Sequence, residues 1–154
     1  MTPRMAYKIA GEEGPSDETR QVAIQDANLA FQYACLVDRC PRDDTRAAAL
    51  EDPGASYMYA LALDKCPRDD TRNAVLSSPW LAAAYAHRVD KCPRDDTRQA
   101  ALSSPEYAHW YAKYVDKFWT SVTWKVDEKD EPMPFEYSLD WLALDVVPGT
   151  MVLI

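Results

Sequence analysis

Glycine is scarce in this chain, with only four in 154 residues. Loops that cradle phosphate groups need several glycines at fixed spacing, and no such nucleotide-binding motif is present. Histidine is scarcer still: the two histidines have no His-Glu-x-x-His motif or paired cysteines near them. Since zinc sites and histidine general bases are usually encoded by such motifs, we expect no metal and no cofactor.

Long apolar runs are missing as well. No stretch approaches the roughly 18 to 20 apolar residues that a membrane-spanning helix needs, and residues 1–14 lack the apolar region of a signal peptide. Positive charge is also in deficit, with 17 Lys and Arg against 25 Asp and Glu, a net charge of −8. This balance disfavours direct binding to nucleic acid or to an anionic membrane. We therefore expect a soluble cytoplasmic protein.

What the sequence does contain is an internal repeat. The string CPRDDTR begins at Cys40, Cys66 and Cys92, always 26 residues apart, and a degenerate earlier copy begins at Pro15. A fixed period of this length is typical of solenoid proteins, in which each unit packs mainly against its neighbours. The four consecutive units are 15–40, 41–66, 67–92 and 93–118.

Each unit predicts two short antiparallel helices. The first begins at an acidic pair such as Asp43 and Asp44, whose carboxylates suit the free N–H groups of a helix start. The second begins at an Asp or Ser that in most units is followed by Pro, as at Ser78 and Pro79. It ends near the Cys-Pro junction, because proline disfavours helical geometry in the residue before it. The predicted fold class is mainly α: an α-solenoid of four 26-residue helix-turn-helix repeats.

The remaining segments do not follow the repeat. Residues 1–14 form a lead-in, and residues 119–154 carry two positive and seven negative side chains. Within the latter, residues 122–126 alternate in polarity as a β-strand does, and residues 135–147 fit either a helix or a strand. Because the last unit of a solenoid needs a cover for its apolar face, we predict a small β or mixed cap over 119–154.

The sequence of the repeat resembles those of known families. The phrase TRQAALSSPEYAHWYA is similar to the short repeats of HEAT and leucine-rich-variant superhelices. The PRDDTR unit most resembles repeats of uncharacterised phage and bacterial proteins. The resemblance covers 15–118 and implies an α-solenoid with a binding role, and no catalytic residues.

Arginine and aspartate recur at fixed repeat positions, counted from the first residue of each unit. Position 6 is always Arg and position 24 is always Asp, which predicts a structural ladder of Arg–Asp pairs between neighbouring units. The alternative is an arginine row that binds phosphates or acidic partners. The ladder residues are Arg20, Arg46, Arg72, Arg98, Asp38, Asp64, Asp90 and Asp116.

The repeated cysteines share position 26, where Phe118 stands in the last unit. Stacked helices lie about 8 to 10 Å apart, which is too far for equivalent cysteines to share a disulfide or a zinc ion. We therefore expect this position to be an apolar packing position, since free cysteine behaves as a small hydrophobic residue.

Positions 14, 18, 21, 22 and 25 vary between units and are predicted to form a stripe on the second helix, opposite the core. Exposed aromatic residues on such a stripe predict a partner-binding surface. The alternative is that its tryptophans pack against the segment after the repeats. The candidate residues are Trp80, His87, Arg88, Trp110, Lys113 and Tyr114.

These observations favour a non-enzymatic protein-binding repeat module. Its specific form, from the phage-like repeat, is an inhibitor of a host defence or nucleic-acid-processing protein that acts in the host cytoplasm. A further alternative is a small hydrolase that uses His87 or His109, and the oligomeric state is open. Another alternative is an acidic nucleic-acid mimic, whose carboxylates would be those of Asp127, Glu128, Asp130 and Glu131.

Overall fold

A computed structural model describes residues 1–117. The described part contains repeated helix pairs, which confirms the predicted fold class, and none of its helices is long and apolar enough to cross a membrane. The predicted cap over 119–154 lies outside the described residues. The α-helices are α1 Pro3–Glu13, α2 Asp17–Ala23, α3 Ala27–Gln32, α4 Asp43–Ala49, α5 Pro53–Tyr59, α6 Asp69–Val75, α7 Pro79–Tyr85, α8 Asp95–Leu102 and α9 Pro105–Tyr114.

The second helix of each of the first three units ends in a π-helical turn. The turns are Tyr33–Asp38 after α3, Ala60–Asp64 after α5 and Ala86–Asp90 after α7. The residue at position 25 then adopts a left-handed conformation, with φ between 53° and 56°, at Arg39, Lys65, Lys91 and Lys117. Because a left-handed residue cannot continue a right-handed helix, the chain turns there, which in the first three units is one residue before the Cys-Pro junction.

The helices pack in two layers, and each unit contacts the next. Helix α6 packs against α5 of the preceding unit and against α7 of its own, and the second helices α3, α5, α7 and α9 contact each other in order. One apolar cluster runs from Phe31 in the first unit to Val89 in the third. A second cluster around Tyr111 joins the third and fourth units. The core is therefore shared between neighbouring units, as a solenoid requires.

Helix α1 covers the first unit. Thr2 caps it and Pro3 follows, in the same cap-and-proline order that begins α5, α7 and α9. It packs on α2 as α3 packs on α4, and it buries Tyr7. Helix α1 therefore begins and packs as the second helix of a unit does.

Candidate partner-binding site

Each unit is closed by a buried tyrosine hydroxyl at position 19. In the third unit, Tyr85 Oη lies 2.8 Å from Thr71 Oγ1, accepts the Arg68 backbone N–H at 3.1 Å and donates to the Arg68 carbonyl at 3.2 Å. Burial raises the pKa of Tyr85 above its ordinary value, so the hydroxyl keeps its proton. The same network recurs at Tyr33, Tyr59 and Tyr111. These tyrosines and threonines tie the second helix to the start of the first, and they are scaffold.

The arginine at position 6 makes a second set of polar contacts between the two helices of its unit. Arg72 Nη2 lies 2.6 Å from Asp90 Oδ1, Nε lies 3.1 Å from Asp90 Oδ2, and Nη1 lies 2.6 Å from Asp69. The guanidinium also lies over the Tyr85 ring, 5.7 Å from its centroid. Every pair joins residues of one unit, 18 positions apart, so the expectation that the pairs join neighbouring units is wrong. The other pairs are Arg20–Asp38, Arg46–Asp64 and Arg98–Asp116.

These pairs leave little guanidinium surface for a ligand. The side chains of Arg72 and Asp90 are 5% and 1% exposed, whereas that of Arg98, in the last unit, is 36% exposed. The hydrogen bonds that Arg72 donates to Asp90 raise the pKa of Arg72 above its usual range, so the guanidinium stays charged. The geometry therefore favours the structural reading of the arginine row.

The cysteines at position 26 do not pack into the core. Cys40, Cys66 and Cys92 are exposed in the loops between units, so the prediction of an apolar packing position is wrong there. Cys35 is different, since it is half-buried against the main core and burial raises the pKa of its thiol. Within residues 1–117, no three His, Cys, Asp or Glu side chains converge as metal ligands.

Four predicted partner-binding residues meet where α7 and α9 lie side by side. The His87 ring centroid lies 5.3 Å from that of Trp110 and 6.3 Å from that of Tyr114, and the latter two centroids are 5.0 Å apart. The Nζ atom of Lys113 lies 5.0 Å from the Tyr114 centroid. We call these residues the ring cluster: His87, Trp110, Lys113 and Tyr114. Sequence reasoning placed them on one stripe but gave no reason for their contact.

The surroundings of His87 disfavour its charged form. Partial burial lowers the pKa of His87 first, and the positive charges of Arg88 and Lys117 lower it further. A hydrogen bond with the Tyr114 backbone raises the pKa of His87, but by less than burial and Arg88 lower it. Arg88, the fifth predicted residue, follows His87 directly in the chain, and its charge acts on the His87 ring. His87 is therefore a neutral ring at physiological pH.

The two tryptophans are half-buried, so the expectation that they are exposed is wrong. Trp80, the sixth predicted residue, packs against the main core cluster and is not part of the ring cluster. Trp110 packs against the second core cluster beside Tyr111, and within the described residues its indole Nε1 is buried without a hydrogen-bond partner. Trp110 therefore forms the floor of the ring cluster. The alternative of packing against the later segment falls outside the described residues.

The other candidate residues do not join this site. His109 is exposed on α9 and is not a member of the ring cluster, so the structure does not assemble the two histidines in one pocket. The mimic carboxylates Asp127, Glu128, Asp130 and Glu131 lie outside the described residues. No family model, no curated protein and no solved structure matches the chain.

Proposed function

We propose that this protein is a non-enzymatic module that binds a partner protein through the second helices of units 67–92 and 93–118. The observation that supports this most is the ring cluster. It places two half-buried aromatic rings, an imidazole and an exposed lysine on adjacent helices. Tryptophan and tyrosine side chains around a packed centre are typical of the residues that dominate protein–protein binding energy.

The contrast between invariant and variable repeat positions supports the same proposal. Positions 5, 6, 19 and 24 are identical in all four units, and their side chains close the scaffold. Position 21, by contrast, is Cys35, Leu61, His87 and Lys113 in successive units. The scaffold does not fix this position, so its chemistry can serve a partner.

Affinity capture with the full chain tests the proposal. We expect a partner in stoichiometric amount with the parent chain, and its loss with the double variant Lys113→Ala, Tyr114→Ala. The matched control is Asn73→Ala, Gln99→Ala, because both residues are exposed on first helices. A purified partner should bind the ring-cluster variant at least about tenfold more weakly. Equal capture by the two double variants would contradict the proposal.

The finer form of the proposal is an inhibitor of a host defence or nucleic-acid-processing protein, acting in the cytoplasm. Its support is the resemblance of the PRDDTR unit to repeats of phage proteins. If the captured partner is an enzyme, the parent chain should lower its activity and the ring-cluster variant should not. If a saturating concentration of the parent chain leaves the activity of the enzyme unchanged, the proposal is restricted to binding.

A further inference from the structure

The carboxylates at position 24 contribute no net charge to the second-helix surface. Asp90 is buried against Arg72, and Asp116 lies against Arg98, in both cases an arginine of the first helix. A hydrogen-bonded guanidinium neutralises a carboxylate locally. These two aspartates are therefore left out when the surface charges of the last two units are counted.

Outside position 24, the charged residues of 79–91 and 105–117 are mostly positive and all exposed. Glu106 is the exception, and it stands in the first turn of α9, away from the end that carries the lysines. Four cations against one carboxylate give these two segments a positive surplus, although the whole chain carries −8. The cations are Arg88, Lys91, Lys113 and Lys117.

Three of these cations, Arg88, Lys113 and Lys117, interact with rings of the cluster. The Lys113 ammonium lies over the Tyr114 ring at 5.0 Å. The charges of Arg88 and Lys117 act on the His87 imidazole and lower its pKa. The face therefore has an aromatic centre, with Trp110 as its floor, and a positive rim.

We propose that this face binds an acidic peptide segment of the partner, with an apolar side chain against Trp110 and Tyr114 and carboxylates against Lys113 and Lys117. The inference rests on the proposed function and names the chemistry of the partner. Opposite charges on facing surfaces speed association and select the partner, while the apolar contact supplies most of the affinity. A nucleic acid fits less well, because its dense phosphate charge meets an acidic chain.

Fluorescence anisotropy on the full chain tests this with defined probes. The first is a short labelled peptide of Glu, Leu and Phe, the second is its Gln-for-Glu analogue, and the third is single-stranded DNA of matched length. We expect the acidic peptide to bind at least about tenfold more tightly than the other two, with an affinity that falls as salt rises. Lys113→Glu should weaken its binding about tenfold, and the matched charge reversal Lys8→Glu on α1 should not.

Each other outcome overturns the inference. Equal binding of the Gln analogue, or equal effects of Lys113→Glu and Lys8→Glu, would show that charge does not select the ligand. Tighter binding of the DNA would make the face a polyanion site. Peptide binding only after Asp127, Glu128, Asp130 and Glu131 are changed to Asn and Gln would assign the face to the chain's own acidic residues. In each case, loss of the captured partner with Lys113→Ala, Tyr114→Ala would still support the proposed function.

Discussion

Arg72 and Asp90 lie 18 residues apart in the chain and face each other across the two helices of one unit, with Nη2 2.6 Å from Oδ1. Both side chains are almost fully withdrawn from water. Their charges therefore depend on each other, because a buried charge without a partner is strongly unfavourable.

The first prediction concerns this pair. Arg72→Ala should lower the free energy of unfolding by about 3 to 5 kcal/mol, because it leaves the Asp90 carboxylate buried and alone. Arg98→Ala should lower it less, since the side chain of Arg98 is 36% exposed and water can reach the site. Chemical denaturation of the two variants measures the difference. An Arg72→Ala variant that folds normally but loses its partner would instead make the arginine row a ligand site.

The second prediction compares two buried tyrosines. Tyr85→Phe should lower the free energy of unfolding by about 1 to 3 kcal/mol, because it removes the hydroxyl that bonds Thr71 and the Arg68 backbone. Tyr57→Phe should cause no loss, since the Tyr57 hydroxyl is buried without a partner within residues 1–117. Denaturation midpoints of the two variants provide the measurement. Equal losses would mean that the hydrogen bonds of the Tyr85 hydroxyl do not account for the loss of stability.

The third prediction concerns pH. The pKa of His87 in the folded chain is lowered, chiefly by burial, so the unfolded chain binds a proton first as pH falls below about 6.5. The stabilisation is complete above that pH and is lost as pH falls through the folded pKa. Between pH 7 and pH 5, the melting temperature of the parent chain should fall more steeply than that of His87→Gln. His109→Gln serves as the control because His109 is exposed, and it should follow the parent.

The fourth prediction concerns thiol reactivity. Three cysteines, Cys40, Cys66 and Cys92, are exposed, and Cys35 is half-buried with a raised thiol pKa. Thiolate is the reacting form, so an alkylating reagent near neutral pH should modify three thiols quickly and Cys35 much more slowly. Peptide mass spectrometry at successive times identifies each site. Modification of Cys35 as fast as the others would show that this part of the core opens readily.

The 26-residue period was enough to predict the helix pairs, because capping residues and helical spacing act locally. It did not identify the partner of Arg72, since an aspartate of the same unit and its equivalent in the next unit fit the spacing equally well. The exposure of Cys66 was also missed. It depends on the left-handed turn at Lys65, and lysine is not a residue that usually marks this conformation. The sequence Thr2-Pro3, by contrast, did indicate that α1 begins in the same way as the second helix of a unit.

The ring cluster was predictable only as a set of residue types. Positions 18, 21 and 22 vary between units, which marked Trp110, His87 and Tyr114 as candidates. Their contact requires α7 and α9 to lie side by side with His87 opposite Trp110, and no spacing within a unit encodes that relation. The half-burial of Trp110 likewise depends on the neighbouring unit.

Both hydrogen-bonded pairs, Tyr85 with Thr71 and Arg72 with Asp90, join residues of a single unit. A duplicated copy of residues 67–92 would therefore contain both partners of each of these hydrogen bonds. It would leave none of these polar groups unpaired in the units beside it. The apolar contacts of each second helix with both helices of the next unit would have to be renewed, and these tolerate substitution more readily than directional bonds do. The length of the array can change by whole units through duplication or deletion, while each new outer face diverges independently.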